Sequence, residues 1–96
     1  TGTTGIKDLV DLEKYNINVF PNPISDKVNI SHSFKGNNLQ VRLNDAMGRQ
    51  LNKSFYNASH INTGLISLDI SNYSQGMYYI DFILDGKTLG SLKVVK

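Results

Sequence analysis

The sequence predicts an all-β domain, an antiparallel β-sandwich of about seven short strands, and three observations lead there. Apolar and polar residues alternate in short runs, most cleanly where Leu39, Val41 and Leu43 interleave with Gln40, Arg42 and Asn44. That period of two belongs to a strand with one buried face. Turn residues recur at intervals of about ten positions, the spacing of a sandwich. No stretch sustains a helical period long enough to compete.

In chain order, residues 1–16 read as a lead-in. Thr1-Gly2-Thr3-Thr4-Gly5 is small and polar, and Ile6, Leu9, Val10 and Leu12 fall near helical spacing for at most a turn. The β domain is expected over 17–96. Ile17 to Phe20 forms a first, edge strand that stops where Pro21 withholds a backbone donor. Both prolines of the chain lie in Pro21-Asn22-Pro23, a rigid corner whose fixed φ also restrains Phe20 and Asn22. Strand two, Asp26 to Ser31, buries Val28 and Ile30. His32 to Asn38 is expected to be a turn around Gly36-Asn37-Asn38, and strand three follows.

Asn44 to Arg49 reads as a tight connection with Gly48 in a left-handed position. In strand four, Leu51 and Phe55 are assigned to one face and Asn52, Ser54 and Tyr56 to the other. Asn57 to Gly64 is a polar loop, and Ile66, Leu68 and Ile70 mark strand five. After the turn from Ser71 to Gly76, Met77 to Leu84 is the most apolar run, expected to be a central strand covered partly on both faces. Asp85-Gly86 is a hairpin turn, and Lys87 to Val95 the last strand. The expected core is Val28, Ile30, Leu39, Val41, Leu43, Leu51, Phe55, Leu68, Ile70, Tyr78, Ile80, Phe82, Leu92 and Val94.

With 96 residues, the chain is one domain with a single modest core. It has no cysteine, which removes disulfides, thiolate metal sites and cysteine nucleophiles. Ten basic and eight acidic residues leave a net charge of +2, with lysines spread along the chain, which argues against nucleic acid as the main partner. No apolar run is long enough to cross a bilayer as a helix, and the first residues lack the pattern of a secretory signal. If the protein is exported, its export signal is expected outside this chain, which then is a fragment of something longer or a domain taken alone.

Three separated segments and the chain's ending resemble one family, the C-terminal sorting domains of the type IX secretion system of Bacteroidetes. The first is Val19-Phe20-Pro21-Asn22-Pro23 with Asp26 to Ile30 behind it. The second is Val41 to Leu51, containing Asp45 and Gly48-Arg49. The third is Leu68-Asp69-Ile70-Ser71 followed by Gly76-Met77-Tyr78-Tyr79-Ile80, and the ending is Lys93-Val94-Val95-Lys96. Tyr73-Ser74-Gln75 departs from the family's more apolar approach to the glycine. The resemblance implies an immunoglobulin-like sandwich without catalytic activity or cofactor. It implies an address label that directs an N-terminal cargo in the same parent chain from the periplasm through the outer-membrane translocon. A sortase-like protease then removes the label, leaving the cargo at the cell surface or released. The recognition candidates are Pro21, Asn22, Pro23, Gly48, Arg49, Gly76, Tyr78, Lys93, Val94, Val95 and Lys96.

Each candidate also has an ordinary reading. Pro21-Asn22-Pro23 is explained as a corner without a partner. Arg49 offers a receptor carboxylate two parallel hydrogen bonds, or is simply solvated. Lys93 and Lys96, with Lys87, either steer the last strand to an acidic surface or guard its edge. Asp69, Asp81 and Asp85 lack the spacing of a calcium loop. His32 and His60 have no ligand partner beside them, so no metal is expected. Ser25-Asp26, Ser31-His32 and Ser59-His60 supply the residue types of a nucleophile and base without an oxyanion hole. The Asn-x-Ser sequences at Asn29, Asn52, Asn57 and Asn72 are coincidental in an asparagine-rich chain. Tyr56, Tyr73 and Tyr79 would make a stacking platform only if they shared an exposed face, the requirement of the alternative reading as an adhesion or carbohydrate-binding module.

Overall fold

Alternating side chains sort seven strands into two antiparallel sheets whose inner faces form one core. The computed structural model describes residues 13–21 and 25–96. The strands are β1 (Asn18–Phe20), β2 (Lys27–Ser31), β3 (Asn38–Asp45), β4 (Gln50–Asn57), β5 (Leu65–Asp69), β6 (Met77–Leu84) and β7 (Lys87–Val95). One sheet has the order β1-β2-β5, the other β4-β3-β6-β7. Relative to a constant-type immunoglobulin sandwich, the fourth strand has moved to the opposite sheet. The tight turn from Asp45 to Arg49 explains this, since it returns β4 directly alongside β3.

The alternation of β2, β3, β5, β6 and the second half of β7 is expressed as expected, whereas Leu89, an extra residue in β7, adds a buried side chain out of phase with Leu92. Val28, Ile30, Leu39, Val41, Leu43, Ile66, Leu68, Ile70, Tyr78, Ile80, Phe82, Leu84, Leu92 and Val94 are buried in one cluster. β6 is central, although Tyr79, Asp81 and Ile83 on its outer face are only half-buried. Asp85 and Gly86 both have positive φ, +49° and +83°, the backbone of a two-residue hairpin whose twist matches its strands.

The expected facing of β4 is wrong, and its register gives the reason. Leu43 pairs with Asn52 but Asn44 pairs with Gln50, so Leu51 is an extra, bulged residue. One inserted residue inverts every side chain after it. Ser54 and Tyr56 thus lie opposite Val41 and Leu39 on the inner side, whereas Phe55 points outward and is 62% exposed. Leu51 itself is half-buried against the core.

Two connections contribute core residues that alternation does not reveal. Within 57–64, expected as a polar loop, a single helical turn α1 (Ala58–Ile61) is capped by the Asn57 side chain accepting from the His60 N–H at 3.0 Å, and it buries Ile61. In 32–37, Phe34 enters the core with its ring 5.3 Å from that of Phe82 and 4.9 Å from that of Tyr15. Tyr15 belongs to a 3-10 turn (Glu13–Tyr15), and its carbonyl accepts from the Ser33 N–H at 2.8 Å. The chain preceding β1 therefore enters beside the 32–37 connection.

His32 is buried there, and its Nδ1 accepts from the Phe34 N–H at 3.0 Å. Burial first, and the charge of His60 second, push its pKa below the ordinary value of 6.5. Protonating Nδ1 would also forfeit the Phe34 bond. The unfolded chain thus binds more protons between the lowered pKa and 6.5, so stability from this group is full above 6.5 and is lost as pH falls. His32→Asn keeps an acceptor two residues before Phe34 but does not titrate. Thermal melts at about pH 7.5 and pH 5.5 are expected to show a larger loss of Tm in the parent than in this variant. Equal losses would remove His32 as the cause.

Candidate functional site

Strand direction decides which connections meet. Antiparallel pairing gives β1 and β5 one direction in their sheet and β3 and β7 one direction in the other, and the short 32–37 and 70–76 connections between the sheets make the two directions the same. The C-terminal ends of these four strands share one pole of the sandwich. The β1–β2 connection containing Pro21, the 45–49 turn, the 70–76 connection and Lys96 gather there. The entry turn Glu13–Tyr15, the 32–37 connection, α1 and the Asp85-Gly86 hairpin occupy the opposite pole.

Asp45 organises the 45–49 turn. Its Oδ1 accepts from the backbone N–H groups of Met47 and Arg49, both at 2.9 Å, and its Oδ2 accepts from Arg49 Nε at 2.8 Å. The Arg49 backbone N–H is the main cause that holds the Asp45 carboxyl below its usual range, with the Arg49 side chain and the Met47 N–H adding to it. Gly48 closes the turn at φ +86°, a conformation a β-carbon would strain. The Arg49 side chain is 75% exposed and held through Nε, which orients the outer end of its guanidinium toward solvent. Met47 at the tip is also exposed.

Lys96 has a different fate from the one expected of it. Its backbone extends the β6–β7 ladder, donating to Gly76 O at 2.9 Å and accepting from the Gly76 N–H at 3.2 Å. Its side chain is only 11% exposed, and Nζ donates to Ile70 O at 2.9 Å and Tyr73 O at 2.7 Å, with Asp26 Oδ1 3.7 Å away. The ammonium thus ties the last residue to the 70–73 turn. Tyr78 is 5% exposed and donates from its hydroxyl to Ser74 O, while Tyr73 donates to Leu51 O at 3.4 Å. Tyr78 and Val94 are core residues, so these two candidates are read as architecture.

Exposed or half-exposed candidates at this pole are Pro21, Gly48, Arg49, Gly76, Lys93 and Val95. Asn22 and Pro23 lie outside the described residues. Lys87 pairs with Leu84 at the far end of β7, so it does not join Lys93 and Lys96 as expected. The role of Asp45 was missed as a site feature, although a carboxylate four residues before an arginine was a visible signal. The anchoring carbonyls of Ile70 and Tyr73 leave no trace in side-chain identity.

The other groups separate. Tyr56 faces inward over His60, ring centroids 4.6 Å apart, Tyr73 packs on the core, and Tyr79 lies on the outer face beside Lys93, so the three tyrosines form no common platform. Asp81 accepts from Asn44 Nδ2 at 2.8 Å and from Ser91 Oγ, with Arg42 Nη2 at 3.4 Å, tying β3, β6 and β7 together. Asp85 Oδ1 accepts from the N–H groups of Asn37 and Asn38 at the opposite pole. Asp69 Oδ1 accepts from the Ser71 N–H, which is the chief cause lowering its pKa. Among the described residues, no three His, Asp or Glu side chains converge as a metal site.

The four gathered segments are also the ones that carry a family pattern. A model of the secretion system C-terminal sorting domain matches residues 18–96. The chain belongs to this family of type IX sorting domains. The fold of the sorting domain is shared with a DUF3244 family protein of immunoglobulin-like β-sandwich fold from Bacteroides vulgatus ATCC 8482. The two superimpose with a TM-score of 0.68 over 88% of this chain and 87% of the other, at 14% identity, a likeness of fold alone. No curated protein matches at a significant level. As a sorting domain, the chain marks a protein for export to the cell surface or extracellular space through the type IX system, and no helix among the described residues is long and apolar enough to cross a membrane.

Proposed function

We propose that the domain is a non-catalytic address, read in the periplasm by the outer-membrane translocon through the pole that carries Arg49, Gly76 and Val95. A sortase-like protease then removes it within the segment before residue 17. The observation that carries this reading is the division of the two poles. The preceding chain enters at one, beside Ser33, while the segments with the family pattern gather at the other. Cargo attached through the entry pole leaves the opposite pole open to a receptor. A protease meanwhile meets its substrate on the cargo side.

The whole chain fused behind a periplasmically exported reporter, in a host with type IX machinery, is expected to bring that reporter to the cell surface without the domain attached. Retention of the reporter in the periplasm would overturn the reading. Export with the domain still joined would overturn only the cleavage step.

A further inference from the structure

Among the described residues, β7 is an edge strand with no strand beyond it. In an antiparallel ladder, residues alternate between those that exchange both backbone bonds with the partner and those whose N–H and C=O point away. Gly76 and Lys96 exchange both bonds. By register, Tyr78 with Val94 and Ile80 with Leu92 follow in phase. The backbone groups of Ser91, Lys93 and Val95 therefore point away from β6, and β7 ends its sheet.

Two of the other three edges are blunted. β1 has three residues and is followed by Pro21, which has no N–H. β4 is bulged at Leu51 and carries Lys53. β5, at the far end of the other sheet, is five residues long and carries an acidic residue, Asp69, at its end, which does not suit an acidic partner strand. β7 has its own irregularity, since Leu89 is extra between Thr88 and Gly90, but this leaves 91–95 regular. Ser91 is pinned to Asp81, which holds that stretch in register with the sheet.

We propose that residues 91–95 receive an extended segment of a secretion-machinery protein by strand addition, with an acidic residue opposite Lys93 and an apolar one beside Val95. A second copy of this chain fits poorly. Antiparallel self-pairing that uses the whole free stretch centres on Lys93 and sets it opposite Lys93, and like charges directly opposed are destabilising. An acidic residue in that place is attractive, and Val95 with its cross-strand neighbour Met77 supplies exposed apolar surface next to it.

The proposal rests on the sorting reading, so the test keeps the two apart. Lys93→Pro removes an outward N–H without touching the β6 ladder, whereas Lys93→Ala removes only the charge. In the reporter fusion, the proline variant is expected to lower surface export by about tenfold, the equivalent of one lost hydrogen bond, and the alanine variant by less. Val95→Pro removes a second outward donor and serves if the first variant does not fold. Undiminished export by either folded proline variant would overturn strand addition. Failure of the unaltered fusion to reach the surface would instead overturn the sorting reading. Hydrogen exchange on the isolated chain needs no variant: fast exchange at Ser91, Lys93 and Val95 is expected, and protection there would sink the proposal. A dimer in sedimentation that Lys93→Pro abolishes would reassign the edge to self-association.

Discussion

Phe34→Ala is expected to cost about 3–5 kcal/mol of folding stability, whereas Phe55→Ala is expected to cost less than about 1 kcal/mol. The two side chains are alike, so their difference measures position alone. Phe34 sits in a connection between strands but is buried among Tyr15, His32 and Phe82. Its removal opens a void next to the central strand and loosens the entry turn, whose Tyr15 ring packs on it. Phe55 lies in a strand but points to solvent, with the Lys53 ammonium 5.8 Å from its ring centroid, a contact of small value when exposed. Urea melts of the two variants with a common slope would give both costs. A cost at Phe55 as large as at Phe34 would mean that β4 is not bulged at Leu51 and turns Phe55 inward.

That pair also marks where the fold was legible. Alternation located β2, β3, β5, β6 and the end of β7 and most of the core, since each has one buried face and period two is then enforced by burial, but it missed Leu89, which the irregularity of β7 turns inward. It failed on β4 because a single extra residue inverts the pattern, and Leu51 carries no mark that distinguishes a bulged leucine from a regular one. Phe34 was hidden for a related reason. Turn residues around Gly36 identified the connection correctly, but which of its side chains folds over the open end of the sandwich is decided by the sheets it joins. Ile61 was more accessible, since Asn57 is a good helix cap and Ile61 four residues on is the natural buried position.

The site was legible as motifs and not as a surface. Once the strands are antiparallel and the connections between the sheets are short, the ends of β1, β3, β5 and β7 share a pole, so the gathering of Pro21, Arg49, Gly76 and Lys96 follows from the topology. Exposure does not follow. Tyr78 and Val94 read as easily as recognition residues as they do core, and only their inward phase in the β6–β7 pair decides.

Lys96 is the sharpest case, and its replacement has the second largest expected effect. Lys96→Met preserves the length and apolar stem of the side chain but removes the ammonium that satisfies Ile70 O and Tyr73 O. Bonds to a charged donor contribute about 1.5–3 kcal/mol, and the partly buried carbonyls would be left without it, so a loss of about 2–3 kcal/mol is expected. Asp26 adds little to this, being 78% exposed on its side chain and 3.7 Å away. Lys96→Arg is not a rescue, because a planar fork does not place one donor atom between two carbonyls. The loss is expected to localise, with faster hydrogen exchange through 70–76 and unchanged exchange at the entry pole, because Lys96 and Gly76 are bonded to one another and the 70–73 turn has the ammonium as its tie to β7. If export falls in proportion to this loosening, Lys96 acts by holding the pole in shape. If export is abolished while the melt and the exchange of 70–76 are unchanged, the lysine is instead read directly by a receptor and the buried ammonium must swing out to be met.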